Sequence, residues 1–263
     1  MSGGGVIELS LWQLAGVLGF VAVLVALSIR QALGLERDLV VGALRTVVQL
    51  YGVGFILAGV FAAAHWYWVV LILLAMTAVA TRAAVGRLKT PLPRAQGMAG
   101  VALTLSTVLT LGYVIGVVVQ VHPWYEPQYI IPLAGMILGN VMSSVALAAD
   151  RLQGELRLRA GEIETRLVLG FSGPEAVQPL VRSALRAAMT PTINGMMTVG
   201  LVQLPGMMTG QILAGTSPLV AVRYQIMVVL MLAMATGIGA WIFLRLAVGR
   251  YLTPAHQLRR ELL

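Results

Sequence analysis

Long apolar stretches are the feature that most constrains this chain. A helix needs about 20 residues to cross roughly 30 Å of hydrocarbon, and only hydrogen-bonded backbone is tolerated there. Hydrophobic residues make up 59% of the 263 residues and charged residues only 11%, against about 25% charged in a soluble domain. The sequence therefore predicts an all-α integral membrane protein with a single transmembrane domain over residues 1–263.

The number and direction of the spans follow from the apolar stretches and from the basic residues between them. We count seven candidate spans, near residues 9–29, 39–61, 66–80 with its flanks, 95–121, 129–149, 190–213 and 219–247. Between the spans, Lys and Arg occur in alternate connections, and they recur around the end of the last span, whereas the connections 1–8, 62–65, 122–128 and 214–218 contain none. Because basic residues are enriched in cytoplasmic loops, we expect the N-terminus outside and the C-terminus in the cytoplasm. The first stretch has no basic residue before it and no cleavage site after it, so we expect it to remain a membrane helix.

Residues 150–187 form a segment that is too long for a simple turn and too polar to span. Its apolar positions recur at near-helical spacing, and two pairs of opposite charge lie four residues apart: Leu152, Leu156, Ile163 and Leu167, with Arg151–Glu155 and Glu162–Arg166. Gly170 to Gly173 break this pattern, and Ser172 with Glu175 is typical of a capping box that begins a second helix. We predict a protruding cytoplasmic helical hairpin, which on pattern alone could also lie against anionic lipid.

Polar residues inside the apolar stretches are expensive in lipid and therefore mark bundle interiors or cavities. Arg45 and Gln49 share a face of the second stretch, where Arg45 either reaches the interface or pairs with another element. Asn140 lies beside Gly135, Gly139 and Ser143, whose spacing indicates close helix packing. Asn194 lies in the sixth stretch. We take Arg45, Gln49, Asn140 and Asn194 as candidates for a translocation pathway.

The segment LPGMMTGQ in the sixth stretch carries the strongest helix-breaking signal. Pro205 removes a backbone hydrogen bond and Gly206 loosens the chain, so we predict a helix break there, beside a central cavity. Further pathway candidates surround this break: Met196, Met197, Gln203, Met207, Met208, Thr209 and Gln211. The methionines either fill irregular packing or contact a soft metal, for which Met207 and Met208 are weak candidates.

The sequence lacks the residues that several kinds of site require. There is no cysteine, which excludes disulfides, thiolate metal sites and cysteine nucleophiles. The one lysine, Lys89, is not part of a nucleotide-binding loop, so the chain does not hydrolyse ATP through such a loop. The three histidines lie outside the predicted spans, and so do all Asp and Glu residues, which argues against a proton relay. A transporter remains, either ATP-driven or a secondary transporter, as does a membrane-embedded lipid-modifying enzyme with Arg45 and Glu126 as candidate catalytic groups.

Four segments carry a resemblance to a known family: LRTVVQLYGVGFIL, IPLAGMILGNVMSSVALAADRL, GEIETRLVLG and LPGMMTGQILAGTSPLVAVRYQIMV. They resemble the FetB-type (YbbM, UPF0014) permeases of ABC transporters, associated with iron export. The resemblance covers nearly all of residues 35–245 and implies a non-enzymatic, multi-pass subunit of the cytoplasmic (inner) membrane. It also implies two copies of this chain with two copies of a FetA-like ATPase, which would bind the ATP, and no cofactor or nucleic acid bound by this chain.

The resemblance also gives the hairpin a role. Glu164 and Gly170 keep the E-x5-G spacing of the coupling segment of other ABC permeases. It implies contact between the hairpin and the ATPase through Glu162, Glu164, Arg166, Gly170, Phe171, Ser172 and Gly173. The transported substrate stays open at this point, because the sequence predicts no carboxylate cage within the membrane.

Overall fold

The fold is built from helices. A computed structural model describes residues 10–63, 65–86, 92–253, 255 and 257–262. The predicted connection 1–8 and the basic residues Arg87 and Lys89 lie outside these residues. Within them there are isolated β-bridges but no strand. The α-helices are α1 (Leu11–Arg30), α2 (Glu36–Ala63), α3 (Trp66–Val85), α4 (Ala95–Tyr113), α5 (Pro127–Leu158), α6 (Ala160–Val168), α7 (Gly173–Thr198), α8 (Gly206–Leu213) and α9 (Pro218–Tyr251).

Five of the described helices are long and apolar enough to cross a membrane. They cover Glu36–Ala62, Trp66–Val85, Ala95–Val119, Pro127–Leu158 and Pro218–Tyr251, where the third is α4 together with the π-helical turn Val114–Val119 that continues it. A shorter apolar helix covers Ala15–Arg30. The chain is therefore an all-helical, multi-pass membrane protein, as its composition predicts.

The sixth predicted stretch, 190–213, is not one helix. Its first part belongs to α7, which begins at Gly173 and ends at Thr198, and its last part is the short helix α8. Residues 199–205 between them are non-helical. α7 therefore combines the second half of the predicted hairpin with the start of the predicted span. It continues through two internal prolines, Pro179 and Pro191.

The described helices divide into two compact units. The first contains α1 and α2 together with residues 211–216. In it, the Ser28 hydroxyl donates to a carboxylate oxygen of Glu36 at 2.7 Å and accepts from the Leu35 backbone N–H at 3.1 Å. This closes the connection between α1 and α2, while most apolar side chains of α2 stay exposed to the surroundings.

The second unit holds α3 to α7, α9 and the start of α8, with α5 at its centre. Small and branched apolar side chains of α5 are fully buried against α3, α4, α7 and α9, among them Ala134, Ile137, Val141 and Ala148. The Ser144 hydroxyl lies 3.3 Å from the Ala188 carbonyl and 3.4 Å from the Thr236 carbonyl. These contacts place the middle of α5 level with Ala188 of α7 and Thr236 of α9.

Gly239 of α9 has almost no space for a side chain. A methyl group at this position would overlap Val141 of α5 and lie 3.2 Å from the Ser106 hydroxyl of α4. The predicted small-residue face of α5 is confirmed only at Gly135, where an added carbon would lie 3.1 Å from Met76. Gly139 has open space around it and Ser143 is exposed.

We therefore expect Gly239→Ala to destabilise the protein by about 1–3 kcal/mol, the usual cost of overpacking a filled interior. The measurement is the apparent melting temperature of the purified protein in detergent. Gly139→Ala is the matched control, because it adds the same methyl group where nothing lies within 4 Å. Equal melting temperatures for the two variants would show that α4, α5 and α9 are not closely packed at Gly239.

Candidate functional site

The non-helical segment between α7 and α8 is a tight turn beside α9. The Gly200 N–H donates to the Gln203 carbonyl at 3.0 Å, and Gly200 has a φ of +85°, which favours glycine. Pro205 is the last residue before α8, and its carbonyl accepts from both the backbone N–H of Thr209 at 3.0 Å and its hydroxyl at 3.2 Å. The structure thus places Pro205 and Gly206 at the start of a new helix, at the end of a seven-residue interruption.

A cavity of about 400 Å³ lies between this turn and α9. On the side of the turn it is lined by Met196, Val199, Gly200, Leu204, Pro205 and Met208, and on the side of α9 by Val222, Gln225, Ile226, Val229 and Leu230. Three of the predicted residues therefore meet here: Met196, Pro205 and Met208. The walls are almost entirely apolar, with Gln225 as the one polar side chain of the lining.

Gln225 is unusual because it is 7% exposed and its side-chain oxygen has no hydrogen-bond partner among the described residues. An unsatisfied buried carbonyl costs about 1–3 kcal/mol, so such a group is retained where it serves another purpose. Its location in the cavity wall makes it a candidate contact for a molecule passing the turn.

A polar face of α7 leads from the hairpin toward this cavity. Its residues lie four apart and are all exposed: Gln178, Arg182, Arg186, Thr190 and Asn194. The opposite face, with Leu180, Ala184 and Ala188, is buried in the second unit. We call Gln178, Arg182, Arg186, Thr190 and Asn194 the polar face of α7.

The depth of Arg186 follows from the contacts of Ser144. The carbonyls of Ala188 and Thr236 bond to the same hydroxyl, so these residues lie at the same level. Leu244, the last residue of the apolar part of α9 before Arg245, lies eight residues or about 12 Å beyond Thr236 in the direction of the hairpin. Arg186 lies only two residues, or about 3 Å, from Ala188. An exposed arginine is therefore carried at the level of the apolar belt.

The predicted hairpin is present, formed by α5, α6 and the beginning of α7. Both predicted ion pairs are confirmed: Arg151 lies 2.7 Å from Glu155, and Arg166 lies 2.9 Å from Glu162. Arg159 adds a two-pronged bond to Glu162 at 2.7 and 2.9 Å, and together with Arg166 it holds the pKa of Glu162 below its usual range. The first arm of the hairpin was expected to be one continuous helix, but it is interrupted at Arg159 between α5 and α6.

The turn of the hairpin exposes apolar side chains. Gly170 has a φ of +91°, and Glu175 accepts from the N–H and hydroxyl of Ser172 at 2.9 and 2.6 Å, which confirms the expected start of α7. Gly173 is buried. Three large apolar residues at this turn are exposed: Val168, Leu169 and Phe171. We call these three residues the hairpin tip.

Glu164 is engaged with the C-terminal segment. Both its carboxylate oxygens accept from Arg260, at 2.7 and 2.6 Å, and this guanidinium lowers the pKa of Glu164. The pair is exposed to solvent, so screening keeps its contribution to stability small. Since the pKa is lowered, that contribution is present at neutral pH and is lost only as the pH falls below the ordinary carboxyl range.

Other predicted residues do not meet in the cavity. Met207 and Thr209 are half-buried outside its lining, while Met197 and Gln203 are exposed. Asn140 is exposed on α5 and donates to the Met136 carbonyl of its own helix at 2.9 Å. Arg45 and Gln49 are exposed on α2, and Gln211 belongs to the first unit. In the described part of the chain no group of three His, Asp or Glu side chains could hold a metal ion.

Comparison with known proteins decides the family. Residues 11–252 match the model of the uncharacterised protein family UPF0014. This chain belongs to the UPF0014 family. The resemblance of the four sequence segments is thereby confirmed.

Curated UPF0014 relatives come from bacteria and plants. The membrane protein slr1647 of Synechocystis is 42% identical over 229 residues, covering 86% of this chain and 87% of that protein. The rice membrane protein STAR2 is 37% identical, covering 90% and 82%. The probable iron export permease protein FetB of Escherichia coli is 34% identical, covering 94% and 93%. No solved structure is significantly similar to this chain.

Sequence reasoning missed three functional candidates of this UPF0014 protein. Gln225 entered the sequence analysis only as one residue of the segment LPGMMTGQILAGTSPLVAVRYQIMV, with no role assigned to it. Arg182 and Arg186 were assigned to the cytoplasmic segment, because the sixth span was expected to begin at residue 190. Polar residues recur at every fourth position from 178 to 194, and this pattern of a single helical face was the signal that could have identified the two arginines.

The orphaned carbonyl of Gln225 leads to a stability prediction. Gln225→Met keeps the length of the side chain and removes the unsatisfied oxygen, so we expect thermal stability equal to or above that of the wild type. Gln49→Met, at an exposed position, is the control for the substitution itself. A loss of more than about 1 kcal/mol for Gln225→Met would mean that its oxygen is satisfied in the folded protein.

Proposed function

We propose that this chain is the permease subunit of an ATP-driven transporter of the ABC type, in which a separate ATPase subunit binds and hydrolyses ATP. Family membership supports this reading, since one UPF0014 relative is named a probable iron export permease. Two copies of the chain would assemble with two ATPases in the cytoplasmic membrane. Each chain would cross seven times, with the C-terminus and the hairpin in the cytoplasm.

The polar face of α7 carries this proposal. Lipid is a poor environment for Arg186 within the apolar belt, although its cost lies below the roughly 3 kcal/mol of an arginine at mid-membrane, because Arg186 lies about 9 Å from the end of the apolar part of α9. A water-filled pathway or a second subunit removes that cost. Of these, a pathway also accounts for Thr190 and Asn194, which continue the polar face toward the cavity at the helix interruption.

The same helix supplies the link to ATP hydrolysis. α7 begins directly after the hairpin tip and ends at the turn that lines the cavity. Exposed apolar residues at a protruding turn are typical of a surface that docks into a partner. A displacement of the tip by the ATPase would move α7 and therefore the turn, so the interruption at 199–205 would open or close the pathway.

The arginines restrict the form of the cargo. Arg182 and Arg186 would repel a bare metal cation on the polar face, and the cavity offers no carboxylate ligands. Iron would therefore pass as a complex with anionic ligands. An organic anion is the second candidate substrate, favoured by the same two side chains.

The proposed function leads first to a prediction about assembly with the ATPase. Phe171→Asp should abolish co-purification of this chain with the ATPase, because it places a charge in an apolar contact. Leu158→Asp is the matched control, since Leu158 is also exposed and apolar but lies at the junction of α5 and α6. Retention of the ATPase by Phe171→Asp, or its equal loss in both variants, would contradict docking through the hairpin tip.

The second prediction concerns the pathway and is measured in proteoliposomes that contain the complete complex. ATP-dependent transport and cargo-stimulated hydrolysis are compared for free iron, iron citrate and citrate alone. Arg186→Gln should keep the ATPase bound but reduce transport about tenfold, the effect of losing one charge-assisted contact. Arg223→Gln, an exposed position on α9, should transport normally.

Outcomes of this second experiment separate the alternatives. Undiminished transport by Arg186→Gln would exclude the polar face of α7 as the pathway. Transport that proceeds without any ATPase would replace the ABC assignment by a secondary carrier. Stimulation by iron citrate but not by citrate would establish the iron complex as cargo, and the reverse would establish the organic anion.

A further inference from the structure

A second cavity lies at the other end of α7. It shares no lining residue with the cavity at the helix interruption or with the hairpin tip. It has a volume of about 600 Å³ and lies between the beginning of α7, the end of α9 and the C-terminal residues Leu252, Thr253 and Arg259. Three arginines and one glutamate line it: Arg245, Arg250, Arg259 and Glu175. The charged lining thus has an excess of two positive charges.

The single carboxylate in the lining of this cavity is already hydrogen-bonded within the protein. Glu175 accepts from the backbone N–H of Ser172 at 2.9 Å and from its hydroxyl at 2.6 Å. Its carboxylate is thereby held at the start of α7 by uncharged donors. The arginines are left to attract an anion from outside.

Arg259 provides the observation that points to a ligand. Its Nε is buried and has no hydrogen-bond partner among the described residues. Its backbone N–H donates to the Tyr251 carbonyl at 2.8 Å, and the next residue, Arg260, is bonded to Glu164. The chain therefore fixes the position of Arg259 from both sides and leaves one guanidinium donor of this cavity-lining residue unsatisfied, a costly arrangement in the absence of an acceptor.

The position along α9 identifies the kind of acceptor. The apolar part of α9 ends at Leu244, and Arg245 follows with its guanidinium 5.9 Å from the centre of the Trp241 ring. Tryptophan and arginine at the end of an apolar span mark the headgroup level of a bilayer. The cavity walls also include Val177, Val181, Val248 and Leu252, so the site combines a basic part with an apolar part.

We propose that this cavity binds a phosphate group, and that its occupant is the headgroup of an anionic phospholipid. The guanidinium groups match the geometry of phosphate oxygens, and basic pockets beside membrane helices at this level suit anionic headgroups. The apolar walls accommodate the glycerol and the first carbons of the acyl chains. Bound there, the lipid joins α7, α9 and the C-terminal segment at the hairpin end of the second unit.

The test is native mass spectrometry of the intact detergent-solubilised protein with phosphatidylglycerol, with phosphatidylcholine, and with phosphatidylglycerol in the presence of inorganic phosphate. We expect phosphatidylglycerol to bind and phosphatidylcholine not to bind. Arg259→Gln should weaken phosphatidylglycerol binding about fivefold, the usual contribution of one basic residue near an anionic membrane. Arg82→Gln, which removes an exposed arginine outside this cavity, should leave binding unchanged.

Each remaining outcome decides a part of the proposal. Equal binding of both lipids, or unchanged phosphatidylglycerol binding by Arg259→Gln, would overturn it. Displacement of the lipid by equimolar inorganic phosphate would keep the phosphate site but overturn the lipid as its occupant. Should Arg259→Gln misfold, Arg245→Gln at the exposed side of the cavity applies the same test, and Arg259→Lys should retain part of the binding, because it keeps the charge but loses the guanidinium geometry.

Discussion

The close packing of α9 against α4 and α5 is the constraint on which the second unit depends. Gly239 allows contact with Val141 and Ser106, and the Ser144 hydroxyl joins the carbonyls of Ala188 and Thr236 at nearly the same level. These contacts fix α7 lengthwise against α9. One end of α7 is then placed at the arginine-lined cavity and the other at the helix interruption, and Arg186 is placed at the level of the apolar belt.

The helical class, the membrane location, the hairpin and its ion pairs could all be predicted from the sequence. Each depends on local information, such as apolar length for α5 and α9 or four-residue spacing for Glu162 and Arg166. The capping pattern of Ser172 and Glu175 also identified the start of α7, because cap signals are read over three or four residues.

The rest of the candidate site depends on contacts between distant residues. Gln225 lies in an apolar helix and shows no local signal of its burial beside Pro205. Glu164 and Arg260 are 96 residues apart, so no spacing rule could pair them. The sixth stretch was expected to be one span over 190–213, whereas the structure ends α7 at Thr198 and begins α8 at Gly206, and it places Arg182 and Arg186 on the same helix as the start of that stretch.

The exposed hairpin tip has a consequence for the life of the chain before assembly. Val168, Leu169 and Phe171 form an apolar surface that an unassembled subunit would present to water. Surfaces of that kind are recognised by chaperones and expose a chain to aggregation and proteolysis. If the tip docks into the ATPase as proposed, the partner would shield it, and the cellular amount of the membrane subunit would be limited by the supply of its partner.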